Sequence, residues 1–140
     1  MDYRKFGDSI VIRMDRGEEV LEQLKAVCEK EGVKLASVSA LGATDDFTVG
    51  VFDLKEKQYR THRFTGDFEI LSLLGTVTTQ NGAVYPHLHL CAAGEGGRTC
   101  GGHLLSAHIS ITCEMVLQLI DGTVERRHDE ALGVNLFDFR

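Results

Sequence analysis

Residues 109–120 read Ile-Ser-Ile-Thr-Cys-Glu-Met-Val-Leu-Gln-Leu-Ile. The odd-numbered positions are all apolar, whereas the even-numbered positions mix polar residues with Val116 and Ile120. Side chains along a β-strand point alternately to its two faces. Residues 103–120 therefore predict a strand, bent or broken, with the core on one side. The apolar residues of the second face indicate contact with another element or another subunit.

Strand patterns continue through most of the chain after Val33, with Gly, Asn and Asp between them. Asn81-Gly82 is typical of a two-residue hairpin turn, and Asp121-Gly122 predicts a tight turn in the last hairpin. The tail Val134–Phe139 keeps its apolar residues and is expected to dock on the rest of the protein. The predicted strands cover residues 9–14, 35–41, 46–53, 58–65, 68–79, 84–92, 103–120 and 123–128.

One helix lies between the first and the second of these strands. Asp15 and Glu18 have the spacing of a capping box, and Gly32 is the predicted C-cap. Apolar residues follow the box at helical spacing: Val20, Leu21, Leu24, Val27 and Cys28. The charged opposite face, which begins with Glu19, is expected to be solvated. One helix with many antiparallel strands predicts a single α+β domain over residues 1–140, its sheet covered on one face.

The composition restricts the class of protein. The chain has 140 residues, of which 43% are hydrophobic and 26% charged, with a formal net charge of -6. Its four cysteines have no C-x-x-C spacing, and the N-terminal residues lack the apolar run of a secretory signal. No segment approaches the ~18 apolar residues of a membrane helix. These features predict a cytoplasmic protein with free thiols and no membrane partner, and the negative charge opposes nucleic-acid binding.

Three histidines, His87, His89 and His103, lie on either side of a glycine-rich turn. His87 and His89 are two residues apart, so their side chains share one face of a predicted strand. Imidazoles that converge from neighbouring strands are suitable ligands for zinc or another divalent transition metal, and three ligands leave one coordination position open. The alternative is that these are ordinary surface or core histidines with other hydrogen-bond partners.

The expected hairpin geometry brings the third histidine near the first two. A turn centred on residues 95–96 places His103 opposite Leu88 or His89, and Cys91 opposite Cys100 or Thr99. Directly opposed residues have Cβ atoms about 5 Å apart, which suits a shared ion. The pair Gly101-Gly102 permits a bulge or a close approach of two backbones.

Other residues are weaker candidates. Cys91 could be a fourth ligand or a small core residue, and Glu69 could act as a general base, as a partner that orients a ligand, or as a surface residue. His108 has the opposite strand parity to His103, and His62 and His128 lie among charged residues. The glycines of residues 94–102 lack the G-x-G-x-x-G and G-K-[S/T] patterns of phosphate loops. They are interpreted as turn residues.

Five segments occur in a specific order: Gly17-Glu18 with the helix after it, Ser37–Ala43, Gly66–Gly75, His87-Leu-His89 and Gly101–Leu104. Together they run across nearly the whole chain. In this combination they resemble the plants-and-prokaryotes conserved (PPC) domain in its free-standing bacterial form. Members of that type are described, by similarity, as DNA-binding proteins.

The resemblance implies a compact α+β fold on an antiparallel sheet, assembled as a homotrimer. It also implies that His87, His89 and His103 form the histidine trio of the domain, which can hold a metal ion such as zinc. In plants the domain follows AT-hook segments and mediates trimerisation and contacts with transcription factors. This chain has no AT-hook, and its Arg13/Arg16 and Arg126/Arg127 pairs lie among acidic residues, which argues against direct DNA binding.

Three hypotheses of function follow. The first is a homotrimeric metal-binding protein whose three-histidine site binds a small ligand or supports modest hydrolysis. The second is a DNA-binding or transcription-associated protein in which the domain mediates assembly and partner contacts. The third is a structural assembly module whose metal stabilises the fold. The sequence assigns no particular reaction.

Overall fold

A computed structural model describes all residues, 1–140. It contains one α-helix, α1 (Val20–Glu31), and a short 3-10 turn at Glu95–Gly97. The strands are β1 (Asp2–Phe6), β2 (Ser9–Asp15), β3 (Ala36–Asp53), β4 (Gln58–Gln80), β5 (Ala83–Ala93), β6 (Thr99–Leu119), β7 (Glu125–Asp129) and β8 (Val134–Asp138). The α+β class and the single domain agree with the sequence prediction. The helix α1 is neither long nor apolar enough to cross a lipid bilayer.

All eight strands belong to one sheet. Seven of them follow the order β1-β2-β6-β3-β4-β7-β8, and β5 lies off this path. Strand β5 pairs with both β4 and β6, and strand β3 pairs with the same two strands. Strands β3 to β6 therefore close into a ring, and the sheet curls around its own core. All pairings are antiparallel except the single contact of β4 with β7.

Strands β3 and β4 are each longer than predicted. The predicted strands 35–41 and 46–53 are one continuous β3, and 58–65 and 68–79 are one continuous β4. Register shifts in the β3–β4 ladder, between Ala40 and Gly42 and between Thr44 and Asp46, accommodate the residues that look like breaks in the sequence. The sequence patterns also missed β1, which forms an edge hairpin with β2.

Strand β6 follows the predicted alternation with one correction. Ile109, Cys113, Met115 and Leu117 are buried, but Ile111 is 69% exposed. The cause is the ladder with β3, in which Thr44 pairs with Ile109 and Gly42 with Cys113. Between these two pairs, three residues of β6 lie opposite a single residue of β3. This bulge turns Ile111 away from the core.

The helix α1 ends as predicted at Gly32, which has a φ of 66°. Its N-cap, however, is Glu19 and not Asp15. Glu18 Oε2 does accept from the backbone N–H of Asp15, so the capping-box contact forms one turn ahead of the helix. Glu19 is not a purely solvated residue either. Its carboxylate accepts from the N–H of Glu22 and from that of Ala107 in β6, which ties the helix to the sheet.

The two predicted turns differ in outcome. Asn81 and Gly82 both have positive φ, 52° and 78°, and Gln80 pairs with Ala83, which confirms a tight hairpin between β4 and β5. Asp121-Gly122 leads from β6 to β7, but β7 pairs with β4 and β8 and not with β6. The last hairpin is β7–β8. The tail is therefore paired as expected, but its large apolar side chains, Leu136, Phe137 and Phe139, are exposed.

The core lies between α1 and the inner face of the curled sheet. The helix contributes Val20, Leu24, Val27 and Cys28 to a cluster of 24 buried hydrophobic residues. Burial of each large side chain contributes about 1.5–3 kcal/mol. In β5, Leu88, Leu90 and Ala92 belong to this cluster. The alternating residues 87, 89 and 91 consequently point to the outer face.

Candidate metal centre

The three histidines meet on the outer face of the sheet. His89 in β5 pairs directly with His103 in β6, and His87 lies two residues before His89 on the same face. One ligand nitrogen from each ring lies within 4.8 Å of the others. The ring centroids are 5.2 Å apart for His87 and His89, 5.1 Å for His87 and His103, and 5.6 Å for His89 and His103. The structure thus brings together the three residues that the sequence singled out.

The register of the β5–β6 hairpin decides this geometry. It confirms one of the two predicted partners of His103, namely His89. The prediction for Cys91 was wrong, because Cys91 pairs with Gly101 and not with Cys100 or Thr99. A Cβ atom on Gly101 would lie 2.2 Å from the carbonyl oxygen of Leu90, so the close approach expected of this glycine is present.

The surroundings keep His87 and His103 neutral. Burial, together with smaller contributions from the rings of His87 and His89, lowers the pKa of His103 to about 4. Burial also lowers the pKa of His87, with further contributions from Arg126 and His89. Neutral imidazole carries the lone pair that a metal ion needs. At neutral pH the rings of His87 and His103 can therefore act as metal ligands without first losing a proton.

One nitrogen of the trio lacks the partner that a buried polar atom normally has. His103 Nδ1 is buried and has no hydrogen-bond partner, the only such side-chain atom in the protein. The ring of His103 stacks on Tyr59 at 4.5 Å, which holds its orientation. A buried polar atom without a partner costs about 1–3 kcal/mol. A set of three imidazoles fits zinc, which would keep one coordination position for water or an added ligand.

A buried arginine adjoins the histidines and was missed by the sequence analysis. Arg126 in β7 donates from Nε to Thr78 Oγ1 at 2.8 Å and from Nη1 to the carbonyl oxygen of Asn135 at 2.9 Å. Its guanidinium lies between the rings of Tyr85 and Phe137, at 4.7 and 4.6 Å from their centroids. Burial lowers the pKa of Arg126. The sequence analysis noted this residue only as part of an Arg-Arg pair among acidic residues. Strand alternation was the one signal that could have separated an inward Arg126 from an outward Arg127.

A cavity of about 440 Å³ opens beside the trio, between the ring of strands and the β7–β8 hairpin. Its wall combines two of the histidines, the arginine and several aromatic rings. The side chains that line it include Phe52, Tyr59, Tyr85, His87, Arg126 and Phe137. A volume of this size suits a small organic molecule.

The remaining candidates lie outside the trio. Glu69 is exposed and pairs with Ala93, four residues beyond His89 along β5, and it lines a different cavity. His62 and His128 are exposed, as predicted, and exposed His108 pairs with Asp46. Cys91 does not belong to the cluster of ligand atoms, and all four cysteines are free.

Fold and site together define an α+β protein with a three-histidine centre on the outer face of a curled antiparallel sheet. Residues 1–121 match the family described as the Plants and Prokaryotes Conserved (PCC) domain, which is also abbreviated PPC. The chain belongs to this family. The β7–β8 hairpin, and Arg126 with it, lies beyond the matched residues. No curated protein matches the chain in sequence.

Solved structures of similar proteins share the whole fold. A protein from Bacteroides thetaiotaomicron, provisionally described as DNA-binding, is 30% identical with a TM-score of 0.95, over 99% of this chain and 96% of its own. A metal-containing protein from Archaeoglobus fulgidus is 30% identical with a TM-score of 0.86, over 98% of both chains. A PPC protein from Pyrococcus horikoshii is 27% identical with a TM-score of 0.87, over 98% of this chain and 94% of its own.

Proposed function

We propose that this chain is a metal-binding PPC protein in which His87, His89 and His103 hold a divalent transition metal, zinc by preference. The observation that carries the proposal is the convergence of one ring nitrogen from each of the three histidines within 4.8 Å. The buried Nδ1 of His103, which has no hydrogen-bond partner, also supports it. The similar protein from Archaeoglobus fulgidus is described as metal-containing, which supports it. The open coordination position and the adjoining cavity suit a small ligand. Since Glu69 lies elsewhere, we propose binding and not a reaction.

Metal content of the purified protein tests this proposal. We expect about one zinc per chain after loading and removal of free metal, measured by elemental analysis. His87→Ala and His103→Ala each remove one of three ligands and should lower the bound metal to less than a fifth. His62→Ala removes an exposed histidine outside the trio and is the matched control. Equal zinc in all four proteins, or none in the unaltered chain, would refute the site.

We also propose that the chain assembles as a homotrimer through the outer face of the sheet. Pairing partners on neighbouring strands form a row on this face, from Val11 through Val116, Ser39 and Leu74 to His89. Every member of this row is exposed, and the exposed apolar residues Leu41, Leu71 and Ile111 occur on the same strands, β3, β4 and β6. Large apolar side chains exposed on neighbouring strands are typical of subunit interfaces. Four free cysteines suit a reducing compartment such as the cytoplasm.

DNA binding is the second candidate function, because the similar protein from Bacteroides thetaiotaomicron is provisionally described in that way. The charge of this chain opposes it, since the formal net charge is -6 and affinity for DNA comes mainly from neutralised phosphates. Titration of a labelled duplex at low and moderate salt distinguishes the two functions. We expect no saturable binding at either salt concentration; binding that weakens with a defined slope as salt rises would favour the DNA-binding function.

A further inference from the structure

A buried positive charge without a counter-ion lies in the wall of the cavity beside the histidines. Arg126 is only 7% exposed, and none of the salt bridges of the protein involves it. Its hydrogen bonds go to neutral acceptors, the hydroxyl of Thr78 and the carbonyl of Asn135. A buried charge is unfavourable unless it is paired. An anion in the cavity would supply the missing partner.

One nitrogen of Arg126 is poorly satisfied. Nη2 lies 3.4 Å from His87 Nδ1 and 3.5 Å from Thr76 Oγ1, both long for a hydrogen bond. The contact with His87 requires an unprotonated Nδ1. A neutral imidazole that ligates a metal either uses Nδ1 as the ligand or carries its proton there. In both cases His87 stops being an acceptor, so metal loading frees Nη2 for an added acceptor.

The walls of the cavity indicate the rest of the ligand. Phe52 and Tyr59 lie edge to face at 5.1 Å, and Tyr59 stacks on His103. Tyr85 and Phe137 flank the guanidinium from β5 and β8. Aromatic walls favour a planar apolar group, and an arginine fork favours a planar carboxylate over other anions of similar charge. The cavity of about 440 Å³ accommodates a single ring with its substituents.

We propose that this cavity binds a small aromatic carboxylate, whose carboxylate group contacts Arg126 and whose ring packs against Phe52, Tyr59 and Phe137. The inference rests on the proposed metal site only through His87, because metal loading frees Nη2 of Arg126. It assigns a ligand class to the site, and it places the charge that selects the ligand on the β7–β8 hairpin. Binding of anion and metal is therefore positively coupled.

Calorimetric titration of benzoate into the zinc-loaded and metal-free protein tests the inference. We expect saturable benzoate binding, tighter with zinc than without it. Benzamide has the same shape without the charge and should bind about tenfold more weakly or worse, because hydrogen bonds to charged groups contribute about that factor. Inorganic phosphate has the charge without the ring and should also bind more weakly.

Variants of adjacent arginines locate the anion. Arg126→Met should weaken benzoate binding at least about tenfold, whereas Arg127→Met should leave it within twofold. Arg127 is the matched control because it is the next residue of β7 and is exposed. Its Nε lies 3.7 Å from Oδ2 of Asp138, so its charge already has a partner. Arg126→Lys keeps the buried charge without the planar fork and should bind benzoate with intermediate affinity. It serves as the second variant if circular dichroism shows that Arg126→Met does not fold.

The outcomes separate this inference from the proposed function, since metal content is measured on the same samples. Zinc bound without any benzoate binding overturns the inference and leaves the metal site intact. Benzoate that binds as tightly to folded Arg126→Met, or to Arg126→Lys, as to the unaltered chain also overturns it. Equal affinity for benzamide, tighter binding of phosphate, or equal benzoate affinity with and without zinc does the same. Benzoate binding that follows all of these expectations supports it.

Discussion

The side chain of His103 has an environment that suits a metal ligand. Its ring stacks on Tyr59, its Nδ1 is buried without a partner, and two more imidazoles lie within 5.6 Å. Burial of the ring and, to a smaller extent, the two neighbouring imidazoles disfavour its protonated form, which explains the pKa of about 4. The neutral ring keeps the lone pair that a metal ion requires.

The low pKa of His103 predicts how the stability of the metal-free protein depends on pH. Between pH 6.5 and about pH 4 the unfolded chain binds a proton at this position that the folded chain does not. The free energy of unfolding should therefore fall as the pH falls through this window and gain no further contribution from His103 below it. Urea unfolding of chelator-treated protein at pH 7.5, 5.5 and 4.5 measures the effect.

His103→Gln provides the comparison for this experiment, because glutamine does not titrate. Its free energy of unfolding should fall less steeply over the same window, whereas the control His62→Gln should follow the unaltered chain. His87 has a lowered pKa as well, so part of the pH dependence remains in His103→Gln. Identical slopes for His103→Gln and the unaltered chain would contradict the assignment.

The sequence predicted that the three histidines meet, but it did not predict the charge of Arg126 beside them. His87 and His89 share a face by strand parity alone, and a short hairpin brings His103 to them, so three residues were enough. The position of the Arg126 side chain depends on two distant contacts. Strand β7 pairs with β4, and the hydrogen-bond partner Thr78 lies 48 positions earlier in the chain. No local pattern encodes such a contact. The same holds for Glu69, whose distance from the trio depends on the β4–β5 register.

Among the structural elements, the β4–β5 hairpin was predictable and the bulges of β3 were not. Asn81-Gly82 specifies its turn through two positive φ angles, which few other residue pairs tolerate. The bulges of β3 against β4 and β6 arise because two long ladders on opposite edges of one strand must fit simultaneously. For this reason residues 42–45 look like a break in the sequence but continue the strand. The exposed Ile111 has the same cause.

Gly75 lies in strand β4 where its backbone approaches β5, the strand that carries His87 and His89, very closely. A Cβ atom at this position would lie 2.0 Å from the carbonyl oxygen of His87. Gly75→Ala should therefore displace β5, and overpacking of this kind costs about 1–3 kcal/mol. We expect a fall in melting temperature of roughly 3–10 °C, measured by circular dichroism, and a lower zinc content because His87 moves with its backbone.

Thr61→Ala is the control for Gly75→Ala. Thr61 is exposed in the same strand, so its replacement changes strand propensity without introducing a backbone clash. Its melting temperature should stay within about 2 °C of the unaltered chain, since exposed substitutions change stability by no more than about 0.5 kcal/mol. A melting temperature and zinc content of Gly75→Ala that equal those of Thr61→Ala would show that β5 accommodates the extra methyl group.

For the whole molecule, the outer face of the sheet carries both the candidate metal centre and the row of exposed residues from Val11 to His89. Leu74 is 56% exposed and pairs directly with His89, so the row ends at the trio. A trimer that covers this face would bury apolar surface and reduce the access of water to the histidines. It would also bring three chains of formal charge -6 together, which requires the apolar contact to outweigh charge repulsion.

Leu74→Asp tests this assembly, because it replaces the most exposed apolar residue of the row with a charged one. We expect the unaltered chain to have three times the 15.5 kDa of one chain in light scattering, and Leu74→Asp to have the mass of a monomer. Val51→Asp is the control, since Val51 is exposed to 69% but lies outside the row. An unaltered mass for Leu74→Asp, or dissociation of Val51→Asp as well, would refute this interface. Zinc content of monomeric Leu74→Asp then decides whether one chain is sufficient for the metal centre, as the three histidines of a single protomer predict.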